Sequence, residues 1–275
     1  MRMRICLSKP KTVPDALCAG DGLYKETTMK IIIAPAKKMV DGPPELPHID
    51  LPRFLRQAQV LAEHIRSLSY GEAKAMWCCG DPIAKLNYER HQRLDLRRNL
   101  TPAILAYRGV QYTQMAPGVF DYAMLDYIQK NLRILSGLYG VLRPFDGVRA
   151  YRLEMQAQIN MGPCANLYQF WGAKIAQELF VGGKTILNLA SKEYSRCVSD
   201  YLTEDIRFVT CRFGRLRDGR LVEQGTQVKI ARGEMVRFLA ENKIEDIEAL
   251  KAFDRLGYVY ESGLSSRDEL VFVQY

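Results

Sequence analysis

The sequence predicts a mixed α/β (α+β) fold, built as a single compact domain around a central mixed sheet. Short β-rich apolar runs alternate with helical patterns in an irregular order, which does not fit a regular βαβ array. The 275 residues contain no internal repeat and no clear interdomain linker. A hydrophobic content of 48% with 25% charged residues is ordinary for a folded chain of this length.

The first half of the chain contains one buried strand and several helical patterns. The strand at residues 31–34 is interrupted by Pro35, and apolar residues recur at helical spacing over residues 54–68. Asp81-Pro82 and Thr101-Pro102 each resemble an N-cap followed by proline in the first turn of a helix. A further helix is predicted over residues 121–135, leading to a pair of glycines.

The second half contains more strands. A helix is predicted over residues 167–180, followed by a glycine turn and a strand at residues 185–189, with a sharp turn or helix start at Ser191. A strand over residues 207–217 turns back at Asp218-Gly219. Helices are predicted over residues 235–242 and 244–253, and strands over residues 258–260 and 270–273.

The first 28 residues have a different character from the rest. They include basic residues but no continuous apolar core, so they are a poor secretory signal. We expect residues 1–28 to be an N-terminal extension that is poorly ordered or lies upstream of the true start, and residues 29–275 to form the domain. No apolar run approaches the length that crosses a membrane, and seven cysteines without a CxxC pair suggest reduced thiols. We therefore expect a cytoplasmic protein without a membrane partner.

The charge balance points to a polyanionic partner. Lys and Arg together number 39 against 31 Asp and Glu, a net charge of +8, and the excess is concentrated between residues 207 and 237. One basic face is therefore expected. The three histidines do not stand at metal-ligand spacing with a second ligand, so we expect no metal site and no cofactor.

The glycine pair suggests a backbone device for holding phosphate. Gly137 and Gly140 enclose Leu138 and Tyr139, and glycine adopts the positive φ angles of a tight hairpin cheaply. A helix starting just after them would offer free N–H groups to an anion. The alternative is that the glycines only punctuate two helices while the leucines fill the core, and the segment alone does not decide between these interpretations.

Several segments resemble the YaaA family of peroxide stress proteins. They are IIIAPAKKM at residues 31–39, LRILSGLYGVLRPFDGVRAYRLEM at 132–155, LYQFWG at 167–172, NLASKEYS at 188–195, ARGEMVRFL at 231–239 and GYVYESGLSSRDELVF at 257–272. The resemblance spans residues 29–275. It implies a protein that protects against hydrogen peroxide, lowers available iron and binds DNA through a basic cleft with a helix-hairpin-helix element. That element maps onto residues near 135–140, although the common Gly-X-Gly spacing is here Gly-Leu-Tyr-Gly.

DNA, as duplex or in structured form, is the expected partner, bound by a monomer without strong sequence preference. The candidate DNA-binding residues are Lys37, Lys38, Gly137, Gly140, Arg143, Arg149, Arg152, Lys192, Arg196, Lys229, Arg232 and Arg237. Basic side chains and backbone donors neutralise and position phosphates. For any one of the charged residues, a solvated surface position or an internal ion pair is an equal alternative. Stacking of bases on Tyr151 or Tyr194 would favour distorted or partly single-stranded DNA, whereas Trp171 is expected in the core.

An enzymatic role is the alternative. In this interpretation Glu154 and Glu193 converge on a cleft as acid and base acting on a nucleic acid or a nucleotide-like substrate, with Ser191 at a strand end beside them. Equally, Ser191 fits a helix N-cap and the two glutamates fit ion-pair partners of arginines. The sequence contains no standard hydrolase, P-loop or dinucleotide motif.

Overall fold

The computed structural model describes residues 29–42 and 46–275, so the predicted extension at residues 1–28 lies outside the described residues. The helices within this part of the chain are α1 (Leu55–Ser67), α2 (Tyr70–Trp77), α3 (Asp81–Gln92), α4 (Ala103–Ala106), α5 (Val110–Met115), α6 (Tyr122–Asn131), α7 (Leu167–Trp171), α8 (Lys174–Phe180), α9 (Lys192–Ser199) and α10 (Gly225–Asn242). The strands are β1 (Met29–Ile33), β2 (Lys38–Met39), β3 (Thr101–Pro102), β4 (Tyr107–Arg108), β5 (Leu132–Ser136), β6 (Gly140–Leu142), β7 (Gly147–Val148), β8 (Thr185–Leu189), β9 (Arg207–Arg217), β10 (Arg220–Val222), β11 (Tyr258–Tyr260) and β12 (Glu269–Gln274).

A central mixed sheet organises the domain, as the sequence predicts. Its strands lie in the order β11-β12-β9-β8-β1-β5-β6, with β10 paired to β9. The strands from β12 to β5 are mutually parallel, whereas β6, β10 and β11 are antiparallel to their neighbours. Two short ladders, β2 with β4 and β3 with β7, lie outside it.

Strand β1 forms the centre of the core. All five of its residues, including Lys30, are buried, which is the pattern of a parallel strand covered on both faces and explains the apolar run at residues 31–33. Ile31 pairs with Leu132 of β5 on one side and with Leu187 of β8 on the other. Helix α6 packs against β1 and β5, and α10 packs against β9.

The chain path opens a crevice beside β1. From β1 the chain crosses to β5 on one side, while β8, the neighbour of β1 on its other side, leads on to β9. The connections of β1 and β8 therefore diverge. In open α/β sheets, ligands bind outside the carboxyl ends of strands at such a switch point.

The glycine segment forms a β-hairpin, so the predicted mapping of a helix-hairpin-helix onto residues near 135–140 is wrong. Helix α6 ends at Asn131, residues 132–136 form β5, and Gly140–Leu142 returns as β6. The physical reason is the parallel ladder with β1, which takes up the backbone groups of residues 132–134 that a helix would use internally. The apolar side chains of this segment are then buried by the sheet.

Other elements differ from the prediction in extent or in type. The predicted helix at residues 167–180 divides into α7 and α8 at Gly172, which has φ of +49°. Helix α10 starts ten residues earlier than expected, at Gly225, and residues 248–252 form a 3₁₀ helix. Thr101-Pro102 forms β3 directly before α4. The predicted strands at residues 185–189 and 207–217 are confirmed.

Candidate functional site: a charged cavity at the carboxyl edge of the sheet

A cavity of about 540 Å³ lies where β1 and β8 end. We call it the charged cavity. Five parts of the chain line it: the segment after β1, the turn into α5, the segment after β7, the start of α9, and α10. Its lining residues are Ala34, Pro35, Ala36, Lys37, Lys38, Arg108, Gly109, Val110, Gln111, Tyr112, Tyr151, Arg152, Leu153, Glu154, Ser191, Glu193, Tyr194, Lys229 and Arg232.

Local structure fixes the two loops that follow the central strands. Residues 34–37 separate β1 from β2, where Lys38 pairs with Arg108 of β4 and so brings two cations to one rim. After β8, Ser191 takes the N-cap position of α9, but its side chain makes no capping hydrogen bond. The Ser191 side chain is thus left for the cavity, contrary to a pure capping role.

Positive charge dominates the lining. Six basic residues, Lys37, Lys38, Arg108, Arg152, Lys229 and Arg232, face two carboxylates, Glu154 and Glu193. Glu154 binds two of the cations: its Oε2 lies 3.0 Å from the Lys37 Nζ, and its Oε1 lies 2.7 Å from the Arg152 Nη2. The remaining cations leave a net positive cavity, which attracts anions.

Arg232 is the most unusual of these cations. It projects from α10, and in the part of the chain that the structure describes its side chain has neither a hydrogen bond nor an ion pair; its Nε is fully buried. Burial lowers the pKa of the Arg232 guanidinium, an effect that the more distant charge of Glu223 opposes. A guanidinium nitrogen that is buried without a partner is costly, and an anion in the cavity would interact favourably with the charge of the same group.

The two carboxylates provide possible proton-transfer groups. Burial, and then the nearby negative charge of Glu154, raise the pKa of Glu193. The Oε1 of Glu193 accepts a hydrogen bond from the Gln156 backbone N–H at 3.4 Å. Two carboxyl groups in different environments on one cavity are the arrangement used by an acid and a base. Among residues 29–42 and 46–275, no group of three or more His, Cys, Asp or Glu is placed to hold a metal ion.

Tyrosines form the floor of the cavity. The Tyr151 hydroxyl lies 2.7 Å from the Ser136 Oγ and 3.0 Å from the Tyr107 hydroxyl, and Tyr112 donates to the Ala34 carbonyl at 3.0 Å. Tyr151 and Tyr194 are only 4% and 6% exposed. They do not form the open stacking surface expected from the sequence, because their rings are packed into the core.

The two glycines of the hairpin have a packing role. A Cβ on Gly137 would lie 2.3 Å from the Leu153 carbonyl oxygen, and Gly140 has φ of +72° with Trp171 against it. The hairpin's polar groups are used internally: Tyr139 N–H donates to Ser136 Oγ at 2.8 Å, and the Trp171 indole donates to the Gly137 carbonyl at 3.0 Å. The structure therefore favours the core interpretation of this segment over a phosphate clamp, and it confirms Trp171 as a core residue.

The other predicted DNA-binding residues lie away from the charged cavity. Arg149 pairs with Asp41 at 3.2 Å, Arg196 with Asp200 at 2.8 Å, and Arg237 with Glu241 at 2.8 Å. Lys192 is exposed on α9 and is not part of the lining. Arg143 lines a smaller cavity of about 300 Å³ that also contains Arg133 and Asp146.

Sequence reasoning missed Arg108 and Tyr112 as site residues. Arg108 is the first charged residue after the uncharged run AILAY at residues 103–107, and Gly109 follows it directly. A lone arginine at the end of a buried run is a signal that would have drawn attention to it. Tyr112 carries no such signal, because buried tyrosines are common in cores.

Comparison with known proteins assigns the chain to a family. The family model described as "Peroxide stress protein YaaA" matches residues 29–264. The chain belongs to the peroxide stress protein YaaA family. Members similar to it include UPF0246 proteins of Desulfitobacterium hafniense (54% identity, covering 90% of this chain and 98% of the relative), Lachnoclostridium phytofermentans (50%, 90% and 96%) and Pediococcus pentosaceus (50%, 90% and 98%).

The YaaA family assignment confirms the resemblance found in the sequence. The match includes every segment that lines the charged cavity, from Ala34 to Arg232. None of the helices in the described part of this YaaA-family chain is both long and apolar enough to span a bilayer.

Proposed function

We propose that this YaaA-family protein binds DNA at the charged cavity, largely without sequence specificity, as part of the response to hydrogen peroxide. One observation carries the proposal: six cations surround one cavity, and Arg232 among them has no partner within the described residues. Phosphate is the anion that multiple lysines and arginines recognise without reading a base sequence. Binding in this way would serve to protect the cell and to limit available iron.

The depth of the cations suggests which DNA form binds best. Lys37 and Lys38 are exposed at the rim, whereas Arg152 and Arg232 are partly buried. A duplex reaches the rim, but only a strand that departs from the helix reaches the deeper guanidinium groups. A distorted or partly single-stranded DNA therefore gains contacts that plain duplex lacks, and the unpairing cost is smallest where the bases are already unpaired.

A binding assay with a matched pair of variants tests the site. Arg232→Ala removes a partly buried cation that has no partner among the described residues, and Arg237→Ala removes an arginine from the same helix that is paired with Glu241. With Arg232→Ala we expect affinity to fall for all sequences alike and the slope of log affinity against log salt to flatten by about one phosphate contact. Fluorescence anisotropy with labelled duplexes across a salt series measures both quantities. Equal behaviour of the two variants would place the DNA elsewhere on the protein.

A second candidate function is catalysis on a nucleic acid or nucleotide-like substrate. Glu154 and Glu193 line the same cavity, and the raised pKa of Glu193 suits a group that donates a proton. In this alternative Glu193 is the acid, while Glu154 positions Lys37 and Arg152 on the substrate. Ser191 lies at the N-cap of α9, two residues before Glu193.

Incubation with structured and damaged DNA, with a divalent metal present, separates the two functions. Retention without product supports a binding protein. Product that disappears with Glu193→Gln, while retention persists, supports an enzyme. Glu204→Gln is a control, because Glu204 is exposed and does not line the charged cavity.

A further inference from the structure

A second cavity adjoins the charged cavity and carries less charge, because among the described residues that line it only Arg108 is charged. It measures about 490 Å³ and is lined mainly by Val40, Ile104, Leu105, Tyr107, Thr113 and Gly118. We call it the apolar cavity. It shares Arg108 and Tyr112 with the charged cavity, so these two side chains form a common wall. We propose that the apolar cavity receives an unpaired base of the DNA strand whose phosphates bind in the charged cavity.

The hydroxyl groups of the tyrosines in the wall make their hydrogen bonds to residues of the charged cavity. Tyr112 donates its hydroxyl to the Ala34 carbonyl at 3.0 Å, and the Tyr107 hydroxyl lies 3.0 Å from that of Tyr151. Ala34 and Tyr151 both line the charged cavity. Tyr107 is fully buried and Tyr112 is 4% exposed, so the two rings form a closed wall, and Val40, Thr113 and Gly118 supply exposed lining of the apolar cavity.

Arg108 supplies the charge at the boundary. It pairs through its backbone with Lys38, and its side chain is exposed. In the described part of the chain the Arg108 side chain has neither a hydrogen bond nor an ion pair, so it is available to an anion. A cation beside an apolar recess matches a ligand in which a negative group is joined directly to a flat, weakly polar ring.

A nucleotide unit meets this description. Its phosphate and its base are connected by one sugar, and the shared wall places a cationic cavity and an apolar cavity next to each other in the same way. The volume of the apolar cavity falls within the usual range of about 300–1,000 Å³ for small-ligand sites, which is ample for a base. Thr113 is one of the lining residues, and a threonine hydroxyl both donates and accepts hydrogen bonds, so it suits a base edge without selecting one base.

This inference rests on the proposed DNA binding and adds a separate consequence. Phosphate contacts alone do not distinguish a nucleotide that carries a base from an abasic one. A base in the apolar cavity does distinguish them, because burial of the base adds affinity that the sugar and phosphate cannot supply.

The test uses three DNAs of one length: a plain duplex, the same duplex with a central unpaired bubble, and that bubble with abasic sites in place of the unpaired nucleotides on one strand. We expect the wild-type protein to bind the base-containing bubble about ten-fold more tightly than the abasic bubble. Gly118→Trp and Thr113→Trp fill the apolar cavity from two different elements and should abolish this difference, while leaving duplex affinity unchanged.

Gly71→Trp is the matched control for Gly118→Trp. Both glycines are exposed, and a Cβ on either meets nothing within 4 Å, but Gly71 lies on α2 outside both cavities. It should retain the ten-fold difference. Equal wild-type affinity for the base-containing and abasic bubbles, or a difference that survives in both cavity-filling variants, overturns the apolar cavity as a base site while leaving DNA binding intact. Wild-type protein that binds none of the three DNAs overturns the proposed function itself.

Discussion

The charged cavity and the glycine hairpin both lie beyond the carboxyl ends of parallel strands, but they treat polar groups in opposite ways. In the hairpin at residues 136–140, Ser136, Tyr139 and the Gly137 carbonyl are all hydrogen-bonded within the protein. In the charged cavity, Arg232 has no hydrogen bond or ion pair to any described residue. The hairpin's polar groups therefore contribute to the fold, whereas Arg232 is the group on which the proposed binding rests, so substitutions in the two regions should affect different measurements.

The largest effect is expected in the hairpin. Gly137→Ala places a Cβ 2.3 Å from the backbone oxygen of Leu153, where no flexible side chain can yield. We expect a loss of about 3 kcal/mol or more in the free energy of unfolding, at the upper end of overpacking effects. Urea denaturation measures it, with Gly80→Ala as the control because a Cβ there meets nothing within 4 Å. Wild-type stability of Gly137→Ala would mean that the hairpin is not tightly packed.

Stability near the hairpin should also depend on pH, through Asp146. Burial raises the pKa of this carboxyl to about 7, and its Oδ2 accepts the Arg143 backbone N–H at 2.8 Å. The folded state therefore keeps a proton that the unfolded chain, with an ordinary aspartate pKa near 4, has released.

It follows that the contribution of Asp146 is present below about pH 4 and is lost as pH rises through 7. Between pH 5 and 6.5 we expect wild-type protein to lose about 2 kcal/mol relative to Asp146→Asn, whose amide oxygen still accepts the backbone hydrogen bond. Urea denaturation of both proteins at each pH gives the difference. A constant difference across this range would contradict a raised pKa.

The next largest effect is expected in the charged cavity, where a substitution should change the affinity for DNA. Glu154→Gln releases Lys37 and Arg152 from their ion pairs and makes both available to phosphate. We expect DNA affinity to rise about five-fold and to become more dependent on salt, since more counterions are released on binding. The matching change near the hairpin is Asp41→Asn, which frees Arg149. If Asp41→Asn strengthens binding as much as Glu154→Gln, the DNA contacts the hairpin side as well.

The smallest effect is expected at Arg143. Its exposed side chain lies at the smaller cavity near the hairpin, away from the charged cavity. Arg143→Ala should change unfolding free energy by less than about 0.5 kcal/mol and DNA affinity by less than about two-fold. Titration with labelled duplex and urea denaturation check both values. A large loss of affinity would move the binding surface from the cavity toward the hairpin.

The sequence predicted the elements whose pattern is local. The strand at residues 185–189 and the turn at Asp218-Gly219 were predicted correctly because apolar runs and turn residues report directly on backbone conformation. The conformation of residues 132–136 was predicted wrongly. A leucine-rich segment that continues a helix fits the helical period equally well, and only its pairing with β1, about a hundred residues earlier, selects the strand.

The residues of the site also divide into those that the local sequence predicts and those that depend on tertiary packing. Lys37, Glu154 and Glu193 were recognised as candidates from the segments that contain them, and the fold brings them to one cavity. The sequence could not predict which arginines form ion pairs with carboxylates. Arg149 and Arg237 have the same chemistry as Arg232, and the difference depends on the carboxylates of Asp41 and Glu241 that happen to face the first two. Partners of this kind are set by tertiary packing, which a single sequence does not show.

Because Arg232 has no partner among the described residues, the melting temperature of the protein can report whether an anion is bound in the charged cavity. A ligand that binds only the folded chain raises its stability by RT ln(1 + [L]/Kd), so at one ligand concentration the protein with the smaller Kd gains more. Short polyanions added in excess should therefore raise the melting temperature of the wild type more than that of Arg232→Ala. The ligand-free protein is expected to have the lower melting temperature of the two states, free and bound.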